Sequence, residues 1–167
     1  MTTELPLDPD SVITECLVQL SELPTEKTAC IEELLSLAVA AGRVTNLEAA
    51  HESIFAREAT ATTAMGNGIA MPHAKTAAVE TPTVVFGRSL SGVGYETPDG
   101  EPVELVVLLL MPADAIDAHL TVLSQISRSL VDPAVRDHLR DAPDASAVVT
   151  TLRSALVGEA DAGSEKT

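Results

Sequence analysis

We predict an α/β fold in which helices cover a central β-sheet, and three observations support this. Residues Val103 to Met111 form a nearly continuous apolar run, which is typical of a strand buried on both faces. Thr83 to Leu90 is rich in β-branched residues, and the turn signals Ser91-Gly92-Val93-Gly94 and Pro98-Asp99-Gly100 follow it. Segments with helical spacing precede and follow these strands. Such alternation indicates a layered sheet with helices packed against it.

The N-terminal half contains a short apolar run and two predicted helices. Val12 to Leu20 is predicted as a first strand, although so short a run also fits a helix. Thr25 is the predicted N-cap of a helix over residues 26–41. Thr45 to Glu48 fits a capping box, so a second helix should begin there and end near Arg57.

The C-terminal part is predicted to be helical. Either Asp114 or Asp117 can cap a helix whose apolar positions run from Ile116 to Leu130. Further helices are predicted over Pro133 to Arg140 and Ala145 to Leu156. No linker divides the chain, so we expect one domain over residues 1–157 and a disordered tail over residues 158–167.

Composition limits the classes of function. The chain has 167 residues, 46% of them apolar, and a formal net charge of −15 that should repel nucleic acids and anionic membranes. An ordinary acidic protein fits this balance, but scarce lysine favours a protein of a salt-loaded cytoplasm. The N-terminus lacks a signal sequence, and the longest apolar run is too short to span a bilayer. We therefore expect a cytoplasmic protein without direct membrane insertion.

The two cysteines are not expected to carry chemistry. Cys16 and Cys30 show no C-x-x-C spacing, so we predict reduced thiols that face apolar surroundings.

One histidine, His73, ends a glycine-punctuated segment that we predict to be a loop. Gly66 and Gly68 permit backbone conformations and close approaches that other residues resist, and Pro72 stiffens the approach to the histidine. A histidine with its ordinary pKa of about 6.5 is mostly neutral at cytoplasmic pH, so one ring nitrogen is available as nucleophile, base or ligand. A satisfied structural histidine is the alternative interpretation.

His119 is the second candidate. It lies near the start of the helix after the buried strand Val103 to Met111, and open α/β sheets place ligand sites outside the carboxyl ends of their strands. His73 and His119 could therefore converge. His51 and His138 lie on polar helical faces and are expected to be solvated.

Three kinds of chemistry compete for this pair. A metal site needs a third ligand that no histidine or cysteine spacing supplies, and a Ser-His-Asp hydrolase lacks its G-x-S-x-G elbow. A phosphoryl group remains; it carries about two negative charges and needs cations and hydrogen-bond donors. The chain offers such groups at Arg57, Lys75, His119, Thr62, Thr63 and the loop amides of Gly66, Asn67 and Gly68.

These residues match a known family. Glu58, followed after six residues by Met65-Gly66-Asn67-Gly68-Ile69-Ala70-Met71-Pro72-His73-Ala74, closely resembles the phosphohistidine signature of type-2 EIIA components of the bacterial sugar phosphotransferase system (PTS). Arg57-Glu58 resembles the family's Arg-Glu pair, Thr62-Thr63 its Ser-Thr pair, and His119-Leu120 its second histidine. The resemblance extends from about Val12 to Leu156. It implies a single domain with a mixed central β-sheet flanked by helices on both faces.

The resemblance also implies a mechanism and partners. His73 would take a phosphoryl group from the phosphocarrier HPr and pass it to a cysteine of an EIIB component, with the membrane EIIC on another chain. Arg57 and His119 would stabilise the phosphoryl group, and neither a metal nor an organic cofactor would be needed. Asn67 departs from the pattern, since some members carry Glu there.

Two functions fit the motif. One is sugar uptake, and Asp99 to Val103 with the segment from His119 to Leu130 resembles the fructose branch. The other is a nitrogen-type regulatory protein that binds targets according to its phosphorylation. Docking is expected to use an apolar rim that includes Ile69 and Met71, unless both belong to the core.

Overall fold

The computed structural model describes residues 8–157, so the predicted tail over residues 158–167 lies outside the described residues. Six strands are present: β1 Val18–Gln19, β2 Ala64–Gly66, β3 Ile69–Ala70, β4 His73–Thr76, β5 Thr83–Val93 and β6 Val103–Pro112. The α-helices are α1 Pro9–Val12, α2 Lys27–Ala40, α3 Leu47–Glu58, α4 Ile116–Leu130, α5 Pro133–Asp141 and α6 Ala145–Leu156, with a 3-10 turn at Glu15–Leu17.

The six strands form one mixed sheet, as predicted. β5 and β6 pair antiparallel at its centre, and β1 runs parallel to β5. On the other side of β6, both β3 and β4 pair with it in parallel, and β2 closes the edge antiparallel to β3. Strand β6 therefore contacts three other strands and is the organising element of the fold.

Both faces of the sheet are covered by helices, which confirms the two-sided burial predicted for β6. Leu105, Val107, Leu109 and Met111 pack into a core with α4, α5 and α6, while Val106, Leu108 and Leu110 pack with α2 and α3 on the opposite face. Because alternate side chains of a strand point to opposite faces, a strand buried on both has no polar face.

The predicted strand over Val12 to Leu20 is mostly wrong. Only Val18–Gln19 is a strand; Val12 ends α1, and the 3-10 turn lies between them. Asp8 caps α1 by accepting a hydrogen bond from the Asp10 amide, and Pro9 occupies the first turn. The buried residues Val12, Ile13 and Leu17 do not alternate, as strand residues facing a core would.

Helix lengths agree with prediction within about one residue at α2 and α3, but several caps do not. Glu26, not Thr25, precedes α2 and gives no side-chain cap. Asn46 caps α3 by accepting from the Ala49 amide, while Thr45 donates its hydroxyl to the Ala78 carbonyl instead of forming a capping box. Thr45 and Asn46 could each have capped α3, and the hydrogen bond from Thr45 to Ala78 leaves that role to Asn46.

The start of α4 and the end of β5 also differ from prediction. Ala115, with no side-chain cap, precedes α4, so neither Asp114 nor Asp117 is its N-cap. The predicted turn at Ser91 to Gly94 is largely strand, because β5 continues to Val93 through a shift in register, with Gly92 at φ +95°. Within residues 8–157, no helix is long and apolar enough to cross a bilayer.

Candidate functional site

The glycine-punctuated segment is a β-hairpin, not the predicted loop. Asn67 and Gly68 connect β2 to β3, and both have positive φ, 60° and 79°. A two-residue hairpin turn of this kind needs left-handed backbone at both positions, which is why Asn-Gly is its preferred sequence. That dipeptide was the signal for the hairpin, and the shift in register between Ala64 and Gly66 leaves Met65 exposed.

The hairpin turn lies far from His73, which corrects the prediction that its amides hold a phosphoryl group. The Gly68 carbonyl accepts hydrogen bonds from the amides of Glu104 and Leu105, whereas His73 pairs with Leu109. Four residues of strand separate Leu105 from Leu109, or about 13 Å.

Side chains from other elements fix the turn instead. The Asp99 carboxylate accepts from the Asn67 amide at 2.9 Å, and Arg140 Nη2 donates to the Asn67 carbonyl at 2.9 Å. A Cβ on Gly68 would lie 2.7 Å from Arg140 Nη2. Gly66, Asn67 and Gly68 are therefore structural residues of the hairpin, and they do not line the cleft beside His73.

His73 is the first residue of β4 and is half-buried, with one ring nitrogen anchored. Its Nδ1 lies 2.8 Å from the Met71 carbonyl oxygen. A carbonyl can only accept, so Nδ1 carries the hydrogen in the neutral ring and the lone pair resides on Nε2. The backbone thus selects the tautomer and leaves the lone pair of Nε2 free.

His119 lies beside His73, which confirms that the two histidines converge. Their ring centroids are 5.7 Å apart, with the rings inclined by 46°. β6 and β4 run parallel, so the start of α4 after β6 reaches the same edge of the sheet as His73. Burial lowers the pKa of His119, and the charges of His73 and Lys75 lower it further. The shift favours the neutral form of the His119 ring.

The buried Nδ1 of His119 has no hydrogen-bond partner among the described residues. Buried polar atoms are nearly always paired, and leaving one unpaired costs about 1–3 kcal/mol. The site thus contains an unused hydrogen-bonding atom next to the histidine with the free lone pair.

Arg57 completes a cleft of about 210 Å³ with His73, Thr62, Thr63 and Met65. It lies in the last turn of α3, and its Nη1 donates to Thr60 Oγ1 at 2.8 Å. Thr60 returns a hydrogen bond to the Arg57 carbonyl. Thr60 was not among the predicted site residues, and nothing in its sequence context distinguished it.

The two threonines reach the cleft, but their hydroxyl hydrogens are already used. Thr62 donates to the Glu96 carbonyl at 2.7 Å, and Thr63 donates to the buried carboxylate of Glu58 at 2.5 Å. Both therefore border the space beside His73 without offering it a free donor.

Most cations of this acidic chain are used inside the fold. Lys27 pairs with Glu58. Five of the seven arginines donate to backbone carbonyls, namely Arg43, Arg88, Arg136, Arg140 and Arg153. Among residues 8–157, the cations that neither pair with a carboxylate within 4 Å nor donate to a backbone carbonyl are Arg57, Lys75 and Arg128. Arg57 lines the cleft, and the charge of Lys75 lowers the pKa of His119. Two of these three cations therefore lie close to the histidine pair.

The other two histidines lie outside the site. His138 is exposed on α5, and His51 pairs with Glu32 at 2.8 Å. Ile69 and Met71 are 1% and 3% exposed, so they belong to the core and not to a docking rim. Both cysteines are free thiols. Cys30 is buried, which raises its pKa to about 12. Cys16 is exposed, so the prediction that it faces apolar surroundings is wrong.

Comparison with known proteins gives a consistent result. Residues 11–155 match the family described as phosphoenolpyruvate-dependent sugar phosphotransferase system, EIIA 2. A fructose-specific EIIA component of Haloferax volcanii is 44% identical over 81% of this chain and 88% of its own length. A fructose-specific EIIABC component of Bacillus subtilis is 36% identical over 84% of this chain and 22% of its own length.

A solved structure agrees with both. Nitrogen regulatory protein IIA-Ntr from Neisseria meningitidis superposes with a TM-score of 0.74 at 30% identity, covering 84% of this chain and 96% of that one. With the family match spanning nearly all described residues, and a histidine pair and a free arginine placed together, the chain belongs to the type-2 EIIA family of the PTS.

Proposed function

We propose that this protein is a phosphocarrier that accepts a phosphoryl group from HPr on Nε2 of His73 and passes it to a cysteine of an EIIB component. The observation that carries the proposal is the hydrogen bond from His73 Nδ1 to the Met71 carbonyl. It leaves the Nε2 lone pair as a nucleophile beside His119 and Arg57.

Both transfers balance without a cofactor. In the first, the Nε2 lone pair attacks phosphorus while the bond from phosphorus to HPr breaks. In the second, a thiolate of EIIB attacks the same phosphorus, and the bond to Nε2 breaks with its electron pair returning to the ring. A neutral imidazole is a good nucleophile and a good leaving group, so positioning and charge stabilisation are what the protein must supply.

His119 and Arg57 supply that stabilisation. A phosphoryl oxygen on His73 could accept a hydrogen bond from the ring of His119, whose buried Nδ1 has no other described partner. The Arg57 guanidinium and the Lys75 ammonium offset the charge, in a chain with few other free cations. Thr62 and Thr63 border the phosphoryl group rather than binding it.

An apolar rim around the site would receive the partners. We define it as Met65, Ile116, Leu120 and Leu123; Ile116 and Leu120 are each 56% exposed, and Met65 and Leu123 line the cleft. Ile116, Leu120 and Leu123 share one face of α4 by their helical spacing. Large exposed apolar side chains around a reactive atom fit a surface that HPr and EIIB would use in turn.

The sugar is proposed to be fructose, since the fructose-specific EIIA of H. volcanii is 44% identical over most of both chains. The B. subtilis relative is a fructose-specific EIIABC component, so an EIIB and a membrane EIIC are proposed as the units that act after this one. The net charge of −15 supports a salt-loaded cytoplasm as the working environment.

The direct test is intact-mass spectrometry after incubation with phosphoenolpyruvate, enzyme I and HPr in high KCl. We expect one acid-labile phosphoryl adduct on the wild type and none on His73→Ala, which should remain folded because the side chain is only half-buried. No adduct on the wild type, with enzyme I and HPr shown to be active in that salt, would refute the phosphocarrier role.

A regulatory role is the second candidate, favoured by the similarity to IIA-Ntr at 30% identity. The same phosphorylated His73 would then control binding to a target instead of passing its phosphoryl group on. Transfer of the label from phosphorylated protein to an EIIB cysteine supports sugar uptake. A stable phosphorylation-dependent complex without transfer supports regulation.

A further inference from the structure

We propose that Glu58 and Thr63 are positioning residues that hold His73 in its reactive tautomer through a chain of hydrogen bonds. The inference rests on the phosphocarrier function proposed above, because it concerns how His73 is made ready to receive the phosphoryl group. It gives Thr63 a role different from that of a phosphoryl ligand.

The last links of the chain are made by backbone. His73 Nδ1 donates to the Met71 carbonyl at 2.8 Å, and the Met71 amide donates to the Thr63 carbonyl at 3.0 Å. Met71 is thus held on both sides of its α-carbon, with Thr63 fixing the amide that precedes it. The position of the Met71 carbonyl, which selects the His73 tautomer, therefore depends on where Thr63 lies.

The first links are made by buried side chains. Thr63 Oγ1 donates to Glu58 Oε2, and Lys27 Nζ donates to Glu58 Oε1 at 3.3 Å. The Glu58 side chain is only 3% exposed. An ionised carboxylate is costly to bury unless its oxygens are paired, and these two partners are the compensation. Lys27 is itself held over the ring of Tyr95, with Nζ 5.2 Å from the ring centroid.

The same helix turn links this chain to the phosphoryl cation. Glu58 is the last residue of α3 and directly follows Arg57, which lines the cleft. One residue of the pair brings a cation to the edge of the cleft, and the next holds Thr63, which fixes the Met71 amide. Glu58 therefore holds Thr63, and Thr63 in turn holds Met71, whose carbonyl accepts from His73.

The test compares Thr63→Val, which removes the hydroxyl at nearly constant volume, with Thr63→Ser, which keeps it. Ring-nitrogen NMR of unphosphorylated protein reports the His73 tautomer, and rapid-quench kinetics with phosphorylated HPr report kcat and KM. For Thr63→Val we expect a population of the Nε2–H tautomer that the wild type lacks. We also expect kcat to fall about tenfold with KM unchanged, because orientation and not docking is affected.

Two further variants keep the result specific. Thr63→Ser should restore the wild-type tautomer and kcat. Glu58→Gln keeps an acceptor oxygen but loses its charge, and should show an intermediate loss of kcat. Thr83→Val is the matched control, since Thr83 is also buried and its hydroxyl donates to the Thr81 carbonyl and accepts from Arg43, both outside the chain of bonds.

A wild-type tautomer and kcat in Thr63→Val would overturn the inference, as would the same changes in Thr83→Val. Failure of the wild type to accept a phosphoryl group would refute the proposed function instead. The tautomer comparison needs no phosphoryl transfer, so it decides the positioning role in either case.

Discussion

At the residue scale, the pKa of His119 should report whether the neighbouring His73 carries a phosphoryl group. Burial lowers its pKa in the unphosphorylated protein, so its NMR titration should have a midpoint below the ordinary 6.5 or so. A phosphoryl dianion on His73 favours the charged ring, so phosphorylation should raise that midpoint. His119→Gln identifies the signal, and equal midpoints in both forms would place His119 outside the phosphoryl group's reach.

The same shift has a consequence for stability. The folded state binds this proton less readily than the unfolded state does. The contribution of His119 to the free energy of unfolding is therefore fully present above its unfolded pKa, and it is lost as pH falls from about 6.5 toward the lower folded pKa.

Arg57 should matter for transfer because it is the free arginine in the cleft. Arg57→Gln is expected to slow phosphoryl transfer from HPr roughly 100-fold, as loss of a preorganised charge partner does. Arg128→Gln is the matched control: it makes the same change in net charge, and Arg128 lies nine residues beyond His119 on α4. Equal effects of the two substitutions would mean that only overall charge matters.

At the element scale, Gly68 in the β2–β3 hairpin is needed for two reasons, its left-handed backbone and the nearness of Arg140, whereas Gly100 shares only the first. Gly68 and Gly100 have φ of 79° and 75°, but a Cβ would meet Arg140 only at Gly68. Gly100→Ala should therefore cost about 1 kcal/mol of unfolding free energy from left-handed backbone alone. Gly68→Ala should cost more, and urea unfolding measures both. Equal losses would show that Arg140 moves aside freely.

The apolar rim, most of which lies on α4, is the subject of the second prediction at this scale. Leu120→Ser should raise the KM for phosphorylated HPr about tenfold and leave kcat nearly unchanged, because apolar contact is lost while the histidine pair stays in place. Leu90→Ser is the control, since Leu90 is 54% exposed on β5, near the opposite end of the sheet. A KM that rises only for Leu90→Ser would place the docking surface elsewhere.

At the scale of the whole molecule, self-repulsion should make folding depend on salt. With a net charge of −15 and most cations bonded internally, exposed carboxylates repel one another. The distance over which charges interact, the Debye length, shortens from about 10 Å at 0.1 M to about 3 Å at 1 M salt. We therefore expect the melting temperature to rise with KCl into the molar range, and a constant melting temperature would contradict the halophilic interpretation.

Neutralising surface charge should reduce that dependence. Glu48 and Glu52 are exposed one turn apart on α3. A Glu48→Gln/Glu52→Gln double variant should need less KCl to reach the same melting temperature, whereas its phosphoryl transfer should not change.

Local patterns in the sequence were sufficient to predict several elements and to single out His73 as the proposed phosphoryl acceptor. The unbroken apolarity of β6 predicted burial on both faces, and helical spacing located α2, α3 and α4. The motif around His73, with Arg57 and His119, indicated the chemistry and its partners. These features depend on periodicity or on residue type, both of which can be read from neighbours in the chain.

Tertiary structure decided the rest, because contacts between distant residues overrode local preference. Asn46 and not Thr45 caps α3, since the Thr45 hydroxyl found the Ala78 carbonyl. Asp99 and Arg140 hold the Asn67-Gly68 turn, which lies beside Leu105 and four strand residues away from the partner of His73, Leu109, so the motif's glycines serve the hairpin. The Thr63 hydroxyl is directed to Glu58 by burial of both groups. Which donors face a phosphoryl group is set by such competition, and only the folded chain resolves it.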